Sequence, residues 1–300
     1  MDRREFLSRT VWGAIPVALF GSPLWGQQPQ QGQQPLGQAV IGPAPGPAPA
    51  RQVDPRVTAI LGLWEKNTAG INRMSGSFSR MTYDDVFGVE KRSVGQFMYE
   101  APDKGRIDLN AVELPKSAIN QGKQTSKGVN YKVVADDPQR WVCTGTQVLV
   151  IDDTSKSVQQ VDIPPQYQGQ NIVDGPLPFL FGIKAEKAER RYQLEIGSRH
   201  SAEIYHLVAK PLLRQDAQEW SVAEVMLNPQ TFLPQAIRTF DPAGTKETVY
   251  VFNADQKVNP RWIFDPFTSR NLGISNYKVT KQTTAEVAPE MRTVPKSVIK

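Results

Sequence analysis

The sequence predicts a mainly β protein built on one large antiparallel sheet that curls or closes on itself. Three observations lead there. Many short segments alternate apolar and polar residues with period two, turn residues separate them at hairpin distances, and only one sustained stretch carries a helical period. A sheet of about eleven or twelve strands does not stay flat.

The 300 residues do not all belong to that domain. Residues 1–26 read as a signal peptide, with a charged start from Asp2 to Arg9, an apolar run Val11 to Phe20, and small, turn-prone residues up to Gly26, where cleavage is expected. The run is too short to cross a bilayer core, which takes about 20 helical residues. Arg3-Arg4-Glu5-Phe6-Leu7 is similar to a twin-arginine export signal. The general secretory route is the alternative. Residues 27–51 are Gln, Gly, Pro and Ala with little to bury, and are expected to be a disordered linker or spacer. Residues 269–300 are polar, contain Pro289 and Pro295, and read as a poorly ordered tail. Residues 52–268 remain as the domain.

Cys143 is the only cysteine, so the domain folds without an internal disulfide and relies on its core. The net charge of +5 falls to +4 once residues 1–26 leave, since they carry Arg3, Arg4 and Arg9 against Asp2 and Glu5. That excess is too small to argue for a nucleic-acid partner.

The domain opens with a helix. Asp54 is placed to cap it, Pro55 suits its first position, and Val57, Ile60, Leu61, Trp64, Thr68 and Ile71 recur at helical spacing. After Gly76 the period changes to two, in Ser77–Tyr83 and Val94–Tyr99. Further strands are expected at 106–112, 131–135, 140–144, 147–152, 157–163, 192–196, 204–209, 219–227, 233–240 and 245–252. Asp136-Asp137-Pro138, Asp152–Ser155, Asn228-Pro229 and Asp241–Gly244 supply turns. Between Asp174 and Gly182, Leu177, Phe179, Leu180 and Phe181 sit among prolines and glycines that forbid a regular element, so this loop is expected to cover something apolar. The charged piece Lys184–Arg191 behind it is a candidate short helix.

No catalytic constellation is present: Gly-x-Ser-x-Gly, His-Glu-x-x-His and phosphate-loop patterns are absent. His200 and His206, placed on one strand, would stand about 20 Å apart. Cys143 reads as a buried inert thiol on the same strand face as Trp141, and the carboxylate pairs Asp84-Asp85, Asp136-Asp137 and Asp152-Asp153 as turn residues. No cofactor and no metal site are expected.

The order of segments resembles the LolA/LolB-type lipoprotein carriers and the outer-membrane lipoprotein-sorting proteins related to them. The resemblance begins with the helix Pro55 to Ile71 and the strand Gly76–Ser79, and continues through Gly95–Arg106 with its glycine, aromatic strand, proline and basic strand. Trp141, Gly145, Val148 and Asp152, then Val158 and Val161, are similar to the family's central hairpins. Leu227-Asn228-Pro229, Leu233-Pro234, Asp241, Gly244, Thr245, Thr248, Tyr250 and Phe252, leading to Asn259 and Phe264, form the most specific block. Glu100 and Ala101 stand where the family has an arginine before the proline.

The resemblance implies an incomplete antiparallel β-barrel lidded by helices and holding acyl chains in its interior. It implies a non-catalytic cell-envelope carrier or sensor, exported to the periplasm or cell envelope, whose partner is an amphiphilic lipid or lipoprotein acyl chain, with an envelope protein as a further partner. By the same resemblance Trp64, Phe78, Phe97, Tyr99, Trp141, Tyr250 and Phe252 would line the apolar cavity, and Leu177, Phe179, Leu180 and Phe181 its lid. The competing reading is a structural or protein-interaction module of the envelope, in which the same aromatics are a filled core and no ligand binds.

Overall fold

The computed structural model describes residues 53–115, 117–165, 168–169, 179 and 183–282. The expected signal peptide and linker, as well as Leu177, Leu180, Phe181 and residues 283–300, lie outside the described residues. The strands are β1 (Arg73–Asp84), β2 (Val89–Glu100), β3 (Lys104–Ala111), β4 (Ile119–Gln124), β5 (Asn130–Ala135), β6 (Gln139–Thr144), β7 (Gln147–Asp152), β8 (Ser157–Asp162), β9 (Tyr192–Ile196), β10 (Tyr205–Pro211), β11 (Val222–Leu227), β12 (Pro234–Phe240), β13 (Lys246–Phe252), β14 (Lys257–Val258) and β15 (Lys278–Gln282). The helices are α1 (Pro55–Thr68), α2 (Ala185–Arg191) and α3 (Arg214–Glu219).

Helix α1 forms as its sequence dictates. The Asp54 carboxylate accepts the Arg56 N–H at 2.9 Å, Pro55 takes the first turn, and Val57, Ile60, Leu61 and Trp64 are the buried positions. The helix stops at Thr68, so Ile71 lies beyond it. The Asn259 side chain then fixes the turn into β1: its Oδ1 accepts from Asn72 N at 2.9 Å and Arg73 N at 3.1 Å, while its Nδ2 donates to Gly70 O at 2.9 Å. A residue late in the chain thereby holds the junction between α1 and the sheet.

Among the described residues the strands form one 15-stranded sheet, twelve of them in the order β15-β8-β7-β6-β3-β2-β1-β13-β12-β11-β10-β9, with β14 paired to β1, β5 to β2 and β4 to β5 off that path. It is mainly β and not closed, with β15 and β9 at its two ends. It departs from expectation in being mixed rather than purely antiparallel, since β8 pairs with β15 and β2 with β5 in parallel. The sheet forks at β2, whose residues Val89–Arg92 pair with β5 and whose residues Ser93–Glu100 pair with β3. A polar strand such as β4, with no buried residue, is held by ladder hydrogen bonds to β5, and its sequence carries no alternation to reveal it.

Two further expectations are corrected. The strand expected from Glu219 starts at Val222, because Arg214–Glu219 form α3. The tail expected from residue 269 is part of the fold as far as residue 282: Ser269–Leu272 form a 3-10 turn, Leu272 is buried, and β15 extends the sheet. Its physical cause is a second core on the outer face of the sheet. There Val142, Leu149, Ile151 and Val158 meet Phe267 and Leu272, with Met98, Trp262, Ile274 and Tyr277 packed around them. Arg140 pins this returning segment by donating to Leu272 O at 2.6 Å and to Asp153, which also accepts the Tyr277 hydroxyl at 2.8 Å.

Candidate ligand-binding face

Directly paired residues on adjacent strands share a face, so the register defines the inner face row by row. One row runs Met74, Tyr99, Gly105, Cys143, Val148, Val161 across β1, β2, β3, β6, β7 and β8. The next runs Gly76, Phe97, Ile107, Trp141, Val150, Gln159, and a third begins Phe252, Phe78, Gly95, Leu109, Gln139. The first two rows contain no carboxylate, lysine or arginine. The third is uncharged as far as Gln139.

The structure brings together four of the expected cavity residues. Phe78 and Phe252 have ring centroids 6.1 Å apart, Phe97 and Phe252 5.7 Å, and Phe78 and Tyr250 5.6 Å. Phe78, Phe97 and Phe252 are buried, as is Tyr99, whose hydroxyl is pushed up in pKa chiefly by that burial. Two glycines make room for them: a Cβ on Gly76 would meet the Phe97 ring at 2.9 Å, and one on Gly95 the Phe78 ring at 2.5 Å.

Trp141 is different. It is half-buried, as are its same-face neighbours Ile107, Val148, Val150 and Val161. These form a contiguous, partly open apolar strip beside the buried rings. Ile107 and Val150 were not singled out from sequence. The available signal was the run Val148-Leu149-Val150-Ile151, apolar at every position, which marks a strand covered on both faces. Leu149 and Ile151 are buried in the outer core, leaving Val148 and Val150 on the inner face. Among the described residues the Gln139 Oε1, in the third row, is buried with no hydrogen-bond partner.

The remaining expected residues lie elsewhere. Trp64 is buried on α1, which packs against α2 and β9 and is tied to α2 by Thr58 Oγ1 donating to Glu189 at 2.8 Å. Phe179 is buried in a triad, 5.3 Å from Tyr192 and 5.9 Å from Trp220 between ring centroids.

The groups considered for chemistry are accounted for by packing. The Cys143 thiol donates to Asp103 O at 3.0 Å, and burial pushes its pKa up, away from the reactive thiolate. The two histidines are not on one strand: His200 lies in the turn before β10, and the His206 N–H reaches its Nδ1 at 3.4 Å. The expected separation of about 20 Å was wrong because it assumed an extended chain between them. His206 is buried on the outer face, its Nδ1 accepting the Arg199 N–H at 3.0 Å and its Nε2 3.4 Å from Glu224. Burial holds its pKa below 6.5, against the opposing pull of Glu224. Among the described residues no cluster of His, Cys, Asp or Glu could hold a metal ion. On the outer face Glu224, Arg238, Glu247 and Lys123 form a ladder of ion pairs, while on the inner face Arg80, two residues along β1 from Phe78, pairs with Asp136.

No family model matches the chain, and neither does any curated protein. Among solved structures, it is similar to an uncharacterized conserved protein from Thermus thermophilus, at 10% identity over 76% of this chain and 99% of that one, with a TM-score of 0.40. It is similar also to a putative outer membrane lipoprotein-sorting protein domain from Vibrio parahaemolyticus, at 10% identity over 72% and 97% of the two chains with a TM-score of 0.37. A third is a LolA superfamily protein from Nitrosomonas europaea, at 10% identity over 71% and 98% with a TM-score of 0.33.

Proposed function

We propose that this protein is a non-catalytic carrier or sensor of the cell envelope, exported by the signal peptide at residues 1–26, that binds a lipid or lipoprotein acyl group on the inner face of its sheet. The observation that carries the reading is the half-open apolar strip Ile107, Trp141, Val148, Val150 and Val161, continuous with the buried rings of Phe97 and Tyr99. From Phe97 to Val150 the band crosses three strand spacings, about 14 Å, a length that suits an extended acyl chain. Burying about 300 Å² of such a chain contributes about 7 kcal/mol without any charged contact. Leu177, Phe179, Leu180 and Phe181 are proposed as a lid over the apolar interior, anchored away from the strip where Phe179 packs on Tyr192 and Trp220.

The competing reading, an interaction module with a filled core, is favoured by the mutual packing of Phe78, Phe97 and Phe252. Native mass spectrometry of the protein taken from its own envelope, combined with a fluorescent acyl probe, separates the two. A carrier retains lipid, and Trp141→Ala weakens probe binding by about tenfold or more at small cost in stability. An empty protein whose Trp141→Ala variant binds the probe as the wild type does refutes the carrier.

A further inference from the structure

The loop between β14 and the 3-10 turn presents two consecutive large apolar residues to solvent: Ile263 is 91% exposed and Phe264 74%. They are not frayed ends. Trp262 before them packs on Phe267 at 5.4 Å and lies under the Arg73 guanidinium at 5.3 Å, Arg106 donates to Pro266 O at 3.0 Å, and Asn271 Nδ2 donates to Asp265 O at 2.7 Å. A loop fixed at both ends holds its apolar tip outward, where it gains nothing in water.

The tip belongs to an open cleft of about 670 Å³ on the outer face, whose rim also carries Lys257 and Arg261, both exposed. The two carboxylates nearby are already engaged. Asp265 accepts the Phe267 N–H at 2.8 Å and lies 3.7 Å from Lys104, and Asp255 accepts the Ser77 N–H at 3.0 Å. A second exposed apolar pair, Val86 and Phe87 in the β1–β2 turn, follows Asp84 and Asp85, which are engaged as well: Asp84 accepts the Phe87 N–H at 3.1 Å and lies 3.6 Å from Lys246, and Asp85 accepts the Ser126 N–H at 2.7 Å. The two tips differ in their own basic residues: Lys257 and Arg261 line the cleft with Ile263 and Phe264, while the turn that carries Val86 and Phe87 contains no lysine or arginine.

We propose that Ile263 and Phe264 enter the interfacial region of an anionic lipid bilayer while Lys257 and Arg261 take headgroup phosphates, so that this loop docks the protein on a membrane surface. The inference does not depend on what the inner face carries. Apolar tips flanked by cations bind through burial plus attraction to anionic headgroups, each basic residue adding to the attraction and salt weakening it. The turn that carries Val86 and Phe87 has no lysine or arginine of its own to take a headgroup phosphate.

The test is co-sedimentation of the full chain with vesicles of phosphatidylcholine alone and of phosphatidylcholine mixed with phosphatidylglycerol. Binding to the mixed vesicles is expected to exceed binding to phosphatidylcholine alone and to fall with added salt. Ile263→Ser with Phe264→Ser should weaken it by about tenfold or more, Lys257→Gln with Arg261→Gln should remove the preference for phosphatidylglycerol, and Val86→Ser with Phe87→Ser should change nothing. Every variant keeps the same N-terminal segment, so differences between them report the loop. Unaltered melting temperatures, expected for such exposed positions, confirm folding, and the salt dependence of the wild type supplies a reading without any variant. No sedimentation of the wild type, equal binding to both vesicle types, or equal loss from the Val86 and Phe264 pairs would each overturn the proposal.

Discussion

Phe78 lies directly across from Gly95 in the β1–β2 ladder, and its ring occupies the space where a side chain at Gly95 would begin: a Cβ there would come within 2.5 Å of both Phe78 Cζ and Asp108 O. Two positions earlier in β1 the arrangement is reversed, with Gly76 opposite Phe97 and the Phe97 ring over the glycine. Each phenylalanine shields the backbone of the facing glycine, and each glycine lets a ring lie flat on the sheet.

Gly95→Ala should therefore destabilise the protein by about 1 to 3 kcal/mol, because the obstructing atoms include backbone that cannot rotate away. Gly122→Ala, on β4 with its nearest neighbour Asn120 Oδ1 at 3.6 Å, is the matched control and should stay within about 0.5 kcal/mol of the wild type. Urea unfolding of the two variants is the measurement, and equal midpoints would show that the ring yields.

Phe179 is the one described residue of the expected lid, and it is buried against Tyr192 and Trp220. Phe179→Ala is expected to cost about 3 to 5 kcal/mol, as removal of a buried ring does. The acyl probe should bind this variant no worse. A loss under about 1 kcal/mol together with weaker probe binding would make the residue a moving lid instead.

His206 sets a pH dependence whose sign follows from its burial. Its folded pKa lies below the usual 6.5, so the unfolded chain takes up the proton first as pH falls. The stability it contributes is fully present above pH 6.5 and declines from there toward the lower folded value. Burial pushes Glu247 and Asp153 up, but hydrogen bonds from Arg238 and Lys123 to the first and from Arg140 and Tyr277 to the second, together with the charges of the neighbouring cations, outweigh it and hold them below 4.5 and 3.8, so their contribution is lost only at lower pH. His206→Gln should flatten the stability profile just below neutrality and leave the acidic limb unchanged. Parallel profiles for the two proteins would contradict this.

Export is tested at Arg3 and Arg4. Replacing both with Lys should leave precursor in the cytoplasm if the twin-arginine route carries the protein. Unchanged secretion assigns it to the general secretory route.

What the sequence determined by itself is what local chemistry controls. Asp54 and Pro55 start α1, the helical period of Val57, Ile60, Leu61 and Trp64 selects its buried face, and period-two alternation places β1, β2 and most later strands to within a few residues. Aromatic positions such as Phe78, Phe97 and Phe252 were legible as one-face residues because parity along a strand is local. Tertiary structure decided the rest. Parity does not say which face a strand turns inward, so the split between buried Phe97 and half-open Trp141 waited on the outer core built by Phe267 and Leu272. Strands β4 and β15 are polar and gain their stability from partners' hydrogen bonds, which leave no apolar pattern to read, and β15 pairs in parallel with a strand more than a hundred residues away. The nearness of His200 to His206 arises from a turn that reverses the chain, and the clamp by Asn259 from a contact with Asn72. In each case the deciding energy lies between residues distant in sequence, where no local period or propensity records it.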